Sequence, residues 1–273
     1  MKTKPFVTPR ANVLGIGVHA LNMETAVDAI EQAVAARNKG YVCVTGVHGV
    51  IEAQHDAKFK EILNRAFLVT PDGMPTVWVG KTQGHRQMAR VYGPDLMIEL
   101  CRRSLENGTT HFLYGGNDGV AQDLAAELRR RFPGIKIVGV YTPPFRPLTQ
   151  AEEAELIAQV ESARPDLFWV GLSTPKQERF MEAYLGRLNV KVMLGVGAAF
   201  DIHTGRTKDA PQWMKRSGLQ WLFRLLQEPR RLARRYMVNN PLFIYQTFLQ
   251  LAGLRNYSVE LRGIENQERD NLA

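Results

Sequence analysis

The sequence predicts an α/β protein in which helices flank a mostly parallel sheet. Short, continuously apolar runs alternate with amphipathic runs of about 12–17 residues, which is the pattern of successive βαβ units. Turn and capping residues separate these runs: Asn107-Gly108 and Pro133-Gly134 each follow a helical pattern, and Thr149 precedes one. With 273 residues, 45% of them apolar and 23% charged, the chain can bury the core of one large domain or two small ones.

The apolar runs predict seven strands, and the amphipathic runs predict seven helices. In chain order, the strands are expected at residues 13–18, 41–45, 66–70, 111–114, 135–141, 167–171 and 192–197. The helices are expected at residues 23–39, 50–64, 94–106, 119–132, 150–163, 175–187 and 212–236. The sequence contains no internal repeat and no low-complexity segment.

Positive charge is concentrated in residues 206–235. This segment holds nine Lys or Arg and two acidic residues, so its balance of +7 nearly equals the +8 of the whole chain. Localised positive charge indicates an anionic partner such as a phosphate, a nucleic acid or a charged lipid surface. We therefore predict an α/β body at residues 1–205 and a basic helical appendage at 206–273.

The sequence is typical of a cytoplasmic protein. It has no recognisable signal peptide, and no apolar stretch reaches the roughly 18 residues that cross a bilayer. The two cysteines, Cys43 and Cys101, do not form a disulfide framework, which favours a reducing compartment. The apolar segment 241–254 is long enough to lie in a membrane interface but too short to cross one.

Candidate functional residues follow the strands, because ligands of open parallel sheets bind beyond the carboxyl ends of the strands. Asp72 could be a general base, although Pro71-Asp72-Gly73 is also an ordinary turn sequence. Thr45 could contact a phosphate or a sugar. Next to it, His48 could be a base or simply a residue that packs at a helix start.

Two further strand ends carry weaker signals. The amide groups of Gly115-Gly116 could hold an anion, but glycines also close βα turns for purely local reasons. Gln177 and Glu178 could bind a sugar or a base, or they could cap a helix. His203 fits either a functional or a packing role.

The histidines and cysteines show no metal-ligand spacing. There is also no D-x-D pair of the kind that holds a divalent metal on a nucleotide diphosphate. Without such a pair, cationic side chains would stabilise the negative charge of a departing diphosphate, and this chain has more cationic than acidic side chains. We therefore expect no metal and no cofactor.

The basic segment has a helical pattern. Arg224, Arg231 and Arg235 are spaced by seven and four residues, which places them on one helical face, and Pro229 could begin a new helix. Tryptophans and leucines supply an apolar side. A basic amphipathic helix of this kind is typical of membrane-surface attachment, and it would equally neutralise a diphosphate.

Three other functions fit parts of this pattern. A nucleic-acid-binding protein would explain the sequence pI of about 9.6, but no nucleic-acid-binding motif occurs and no such partner is expected. A sugar-nucleotide epimerase or dehydrogenase would fit the predicted sheet, but the dinucleotide fingerprint is absent. A membrane scaffold without catalytic activity would fit the basic segment alone.

Several stretches together resemble the WecG/TagA/CpsF family of bacterial glycosyltransferases, over roughly residues 12–240. The matching stretches are VTPDGMPTVWV at 69–79, RVYGPDL at 90–96, FLYGG at 112–116, VGLSTPKQE at 170–178, GVGAAFD at 195–201, and APQWMKRSGLQWLFRLLQEPRRLARRY at 210–236. The last block is long and specific, whereas the glycine turns alone would not be.

The resemblance implies a Rossmann-like body with a C-terminal membrane-binding appendage. It also implies inverting, metal-independent transfer from a UDP-sugar to an undecaprenyl-diphosphate-linked saccharide on the cytoplasmic membrane face. N-acetylmannosamine, glucose and a uronic acid are all compatible as the transferred sugar, and self-association is left open.

The resemblance also assigns residues. Asp72 matches the family's proposed base and Thr45 an active-site threonine. Arg90 and Gln177 match pocket positions, and Gly115, Gly116 and Asp201 lie in the matching stretches as further expected substrate contacts. The arginines expected to complete the site and contact the diphosphate are Arg224, Arg230, Arg231, Arg234 and Arg235.

One position departs from the family pattern. Many members carry an asparagine two residues after the threonine, where this chain has Val47. The polar contact is then absent or supplied by another residue such as His48, so the donor sugar need not match that of better-known members.

Overall fold

The computed structural model describes residues 8–259, which form eight strands and twelve helices. The strands are β1 (Arg10–Val13), β2 (Ile16–His19), β3 (Gly40–Thr45), β4 (Leu68–Pro71), β5 (Thr110–Gly115), β6 (Lys136–Tyr141), β7 (Leu167–Gly171) and β8 (Val192–Gly195). The helices are α1 (Met23–Ala35), α2 (Val47–His55), α3 (Ala57–Arg65), α4 (Met74–Thr82), α5 (Gly93–Asn107), α6 (Val120–Arg131), α7 (Gln150–Ala163), α8 (Lys176–Tyr184), α9 (Ala199–His203), α10 (Gln212–Arg216), α11 (Gln220–Gln227) and α12 (Pro229–Leu251).

Six of the strands form one sheet, and five of them run in the order β3-β8-β7-β5-β6 with every pairing parallel. The register pairs Tyr114 with Val170 across β5 and β7, and Val170 with Gly195 across β7 and β8. The central strands are buried almost throughout, as expected for a parallel sheet covered on both faces. The predicted Rossmann-like α/β fold is confirmed.

The predicted strand at 13–18 is wrong in detail. It is a hairpin, in which β1 and β2 pair antiparallel in a separate two-stranded sheet. Leu14 and Gly15 form the turn with φ angles of 53° and 79°, and this left-handed backbone reverses the chain. The continuous apolar run concealed the turn, because Leu14 is itself fully buried.

The region after β3 contains two further differences from the prediction. The helix expected at 50–64 is two helices, α2 and α3, separated at Asp56. The Asp56 side chain accepts the backbone N–H of Phe59 at 2.9 Å and so caps α3. Helix α4 was not predicted: it begins after Gly73, with Pro75 in its first turn.

The helix expected at 212–236 is three helices, α10, α11 and α12. The prediction that Pro229 begins a new helix is confirmed, since it is the first residue of α12. Helix α12 continues through Pro241 to Leu251, beyond the end that the sequence suggested. None of the helices within residues 8–259 combines the length and the apolar character that crossing a membrane requires.

The contacts divide the chain into two units. Within the described residues, the first unit comprises 8–22, 45–90 and 210–259, and the second comprises 23–44 and 91–209. The predicted body and appendage differ from this division, since the C-terminal segment belongs to the same unit as residues 45–90. Whether residues 206–273 act as a functional appendage stays a prediction, and residues 260–273 lie outside the described chain.

Candidate active site

The first unit brings the ends of β3 and β4 together at Thr45 and Asp72. The backbone N–H of Asp72 donates to the carbonyl oxygen of Thr45 at 3.0 Å. Gly46 allows this approach, since a Cβ at that position would lie 2.7 Å from the carbonyl oxygen of Asp72. Thr45 is buried, whereas the Asp72 side chain is 30% exposed. The predicted base is therefore accessible at a strand end.

Arg90 connects Asp72 to the basic segment at 206–235. Its Nε lies 3.4 Å from Oδ1 of Asp72, and a terminal guanidinium nitrogen lies 3.5 Å from the same oxygen. The same nitrogen donates to Oε1 of Gln220, the first residue of α11. Three distant parts of the sequence thus meet at one guanidinium.

A second contact joins α2 to α12 near Thr45. The side-chain amide of Asn239 lies 2.9 Å from Nδ1 of His48, and Glu52 lies 3.6 Å from the same nitrogen. His48 is in the first turn of α2, three residues after Thr45, and Asn239 is buried. His48 therefore orders the interface with α12, which supports its packing role.

The C-terminal arginines fall into two groups. Arg224 and Arg231 both approach Glu228, at 3.6 and 2.5 Å, while burial of Arg235 lowers its pKa. The predicted single helical face is wrong for Arg224, which lies on α11, whereas Arg231 and Arg235 are four residues apart on α12 and share a face. Glu228 nevertheless holds Arg224 and Arg231 together across the break between these helices. The remaining two arginines, Arg230 and Arg234, are exposed.

Tyr236 lies beside the candidate site, and the sequence patterns did not single it out. Its ring packs edge-on against Trp221, with centroids 5.9 Å apart and planes at 61°. Burial is the main cause that raises the pKa of its hydroxyl; the charge of Asp72 also raises it, while Arg224 and Arg235 lower it. The phenol therefore lies within the electrostatic reach of both the carboxylate and the arginines. The sequence did offer one signal for Tyr236: it follows Leu232 by four residues, which places both on the buried side of α12.

In the second unit, the predicted glycines lie where two strands approach closely. The Gly116 N–H donates to the carbonyl oxygen of Gly171 at 3.1 Å. Gly115 has a φ of 129°, and a Cβ there would lie 2.7 Å from the backbone of Gly171. Packing of β5 against β7 therefore explains Gly115, and anion binding by either glycine stays a prediction.

Gln177 and Glu178 are both buried at the start of α8. The Gln177 amide accepts the N–H of Gly197 at 3.1 Å and donates to Oε1 of Glu178 at 3.0 Å. The hydroxyl of Thr174 donates to the same oxygen at 2.8 Å, and burial raises the pKa of Glu178. These contacts join two strand-end loops, and substrate binding by Gln177 stays a prediction.

Asp201 and His203 lie on α9. Asp201 is partly exposed, and its carbonyl oxygen accepts the N–H of Thr207 at 3.0 Å. His203 Nε2 lies 3.0 Å from the carbonyl oxygen of Pro94, and burial lowers the pKa of the ring. His203 thus has a structural partner, while a substrate contact by Asp201 stays a prediction.

Residues 8–259 contain no group of three or more His, Cys, Asp or Glu side chains that could hold a metal ion. Independence from metal stays a prediction, as do the catalytic and binding roles of the residues described above.

Comparison with known proteins identifies the family. The model of the glycosyl transferase WecG/TagA/CpsF family matches residues 11–257. A relative from Bacillus spizizenii (strain ATCC 23059 / NRRL B-14472 / W23) is 30% identical over 219 residues, which is 80% of this chain and 82% of the relative. A second, from Bacillus subtilis (strain 168), is 29% identical over 215 residues, 78% of this chain and 82% of the relative. Both are named N-acetylglucosaminyldiphosphoundecaprenol N-acetyl-beta-D-mannosaminyltransferase. The chain belongs to the WecG/TagA/CpsF family and is a glycosyltransferase.

Proposed function

We propose that this enzyme transfers a sugar from a UDP-sugar to an undecaprenyl-diphosphate-linked saccharide, with inversion at the anomeric carbon and without a metal. The names of both relatives specify an undecaprenyl-diphosphate-linked acceptor. The observation that carries the proposal is the connection of Asp72 through Arg90 to Gln220, because it joins a potential base to the basic segment.

Asp72 is the proposed base. Its carboxylate takes the proton from an acceptor hydroxyl, and the resulting oxygen attacks the anomeric carbon opposite the departing diphosphate. The bond between the anomeric carbon and the diphosphate oxygen breaks, and UDP leaves. General-base assistance of this kind is typically worth about 10²–10⁴-fold in rate.

The arginines of α11 and α12 stabilise the charge that develops on UDP. The positive charge comes from Arg224, Arg231 and Arg235, and Arg90 adds its own charge next to the base. A single well-placed donor to developing negative charge is worth about 10²–10³-fold in rate. The mechanism assigns this work to side chains and none to a metal.

N-acetylmannosamine is the first candidate for the transferred sugar, because the names of both relatives specify its transfer. Glucose and a uronic acid stay in the proposal. Val47 replaces a polar residue of many family members, and the nearby His48 is engaged with Asn239. The sugar therefore has to be established by experiment.

Helix α12 supports peripheral attachment to the inner face of the cytoplasmic membrane. Its basic residues precede an exposed apolar stripe with helical spacing, formed by Met237, Ile244, Tyr245, Phe248 and Leu251. Apolar side chains flanked by arginines suit the interface of an anionic bilayer. Trp213 and Leu226 add exposed apolar area on the preceding helices.

The direct test is an assay of UDP release by the full chain. The donors would be UDP-N-acetylmannosamine, UDP-glucose and a UDP-uronic acid, and the acceptor a polyprenyl-diphosphate-linked N-acetylglucosamine. We expect acceptor-dependent UDP release that persists in EDTA. Release that requires an added divalent cation would refute the metal-independent mechanism, and the absence of release with every donor would refute the transfer itself.

A further inference from the structure

We propose that the hydroxyl of Tyr236 is a direct ligand of the substrate diphosphate, to which it donates a hydrogen bond between Asp72 and the arginines. This inference rests on the proposed function and adds a binding residue to the same site.

Helix α11 brings Arg224 to this position. Gln220 contacts Arg90, which contacts Asp72. Arg224 lies four residues after Gln220 and therefore one turn farther along the same face of α11. Its Nε is buried without a hydrogen-bond partner in the part of the chain that the structure describes, so this face presents a donor that has no acceptor.

Helix α12 brings Tyr236 to the same region from another direction. Asn239 contacts His48, which is three residues from Thr45. Tyr236 lies three residues before Asn239 and hence on the same face of α12, while its ring packs against Trp221 of α11. The position of the phenol is therefore set by the α12 backbone and by its contact with Trp221 of α11.

The environment of the hydroxyl favours a donor. The raised pKa keeps the phenol protonated at neutral pH, and burial is the main cause. The charges that act on it are those of Arg224, Arg231, Arg235 and Asp72. Within residues 8–259 the hydroxyl forms no hydrogen bond. An anion bound by the arginines would provide its acceptor.

A phenol adds what arginine lacks. It donates one directed hydrogen bond without adding positive charge next to Asp72, so the carboxylate can still accept a proton. The hydrogen bond strengthens as the bridging oxygen of the diphosphate gains charge during sugar transfer. We therefore expect Tyr236 to support binding and, more strongly, turnover.

The test compares Tyr236→Phe with Tyr184→Phe by calorimetry of the full chain. Phenylalanine keeps the ring that packs against Trp221, and thermal unfolding would verify that the fold is intact. Tyr184 is the control, because it is the last residue of α8 and its hydroxyl already donates to Glu153. The ligands are inorganic pyrophosphate, UDP and geranyl diphosphate.

We expect Tyr236→Phe to raise the Kd for pyrophosphate about tenfold, which is the loss typical of one hydrogen bond to a charged group, and Tyr184→Phe to leave it unchanged. The UDP and geranyl diphosphate titrations show whether the site holds the diphosphate of the donor or that of the lipid-linked acceptor.

Equal pyrophosphate affinity in the two variants would overturn the inference, as would a wild-type protein that binds none of the three ligands. The proposed function fails differently: UDP release would be absent with every donor although Tyr236→Phe still weakened pyrophosphate binding.

Discussion

The two units use their strand ends differently. In the first, Asp72 pairs with Arg90, and Arg90 reaches Gln220, which lies 130 residues farther along the chain. In the second, Gly115 accommodates a neighbouring strand, and the Gln177 amide bonds Gly197 and Glu178. Position after a parallel strand therefore does not distinguish a reactive group from one that holds two loops together. The proposed role of Asp72 rests instead on its contact with a remote, charged segment.

The strongest test of this difference is Asp72→Asn. We expect UDP release to fall about 10²–10⁴-fold, because the amide cannot take the acceptor proton, while the unfolding temperature stays close to that of the wild type. Asp118→Asn is the control, since Asp118 is exposed in the loop after β5. Unchanged turnover in Asp72→Asn would remove the contrast between the units.

The second test is Gly115→Ala. The new Cβ would meet the Gly171 backbone, and the backbone is already at a φ of 129°, so we expect a loss of about 3 kcal/mol in unfolding free energy. Gly119→Ala is the matched control, because Gly119 also has a positive φ, of 78°, but a Cβ there would have no atom within 4 Å. This substitution should lower the unfolding free energy by about 1 kcal/mol. Both free energies come from urea unfolding.

An alternative outcome would reverse the interpretation of Gly115. Wild-type stability combined with a raised KM for the UDP-sugar would indicate that this glycine contacts the ligand, as the sequence suggested.

The third test concerns buried histidines, which occur in both units. Burial lowers the pKa of His19 to about 3 and that of His111 to about 4. Each accepts a hydrogen bond at Nδ1, from the backbone of Val69 and from the Trp169 indole respectively. Both are therefore neutral in the native state, whereas the unfolded chain takes up protons below about pH 6.5.

The histidine contribution to stability is complete above pH 6.5 and is lost as the pH falls toward the native pKa values. Between pH 7 and pH 5, each histidine should lower the free energy of unfolding by about 2 kcal/mol, as measured by urea unfolding. His111→Gln should reduce this pH dependence, and the exposed His55→Gln should not. An equal slope in both variants would contradict the assignment.

The smallest expected effect contrasts two exposed phenylalanines. Phe248 lies on the apolar stripe of α12 and is 63% exposed, while Phe145 of the second unit is 87% exposed. We expect Phe248→Ser to weaken binding to phosphatidylglycerol vesicles about fivefold, since one partly inserted ring contributes on the order of 1 kcal/mol. Phe145→Ser should have no effect in the same flotation assay. A larger loss from Phe145→Ser would place the membrane-facing surface in the second unit.

Most of the fold follows from local sequence patterns. The buried strands were predictable because their apolar runs are continuous, and Pro229 because it favours the first turn of a helix. The β1–β2 hairpin was not, since its turn contains the buried Leu14. Helix α4 was hidden because Pro71-Asp72-Gly73 suggested only a turn.

The residues of the candidate site were predicted one by one, but their arrangement was not. Asp72, Arg90 and the arginines were found by type and by resemblance. Gln220, Tyr236 and Asn239 were not, because their importance depends on long-range contacts rather than on local spacing. Conversely, Gly115 carried the right local signal but has a packing explanation that only the pairing of β5 with β7 reveals.

Glu228 places an internal competitor at the corner between α11 and α12. Its carboxylate is held ionised, with its pKa lowered chiefly by the hydrogen bond from Arg231, and it already contacts the two guanidiniums that we propose as ligands of the diphosphate. A ligand that binds there has to displace a carboxylate, and the same carboxylate is available to reclaim the arginines when UDP departs. An enzyme built in this way would give up some affinity for its product in exchange for faster release.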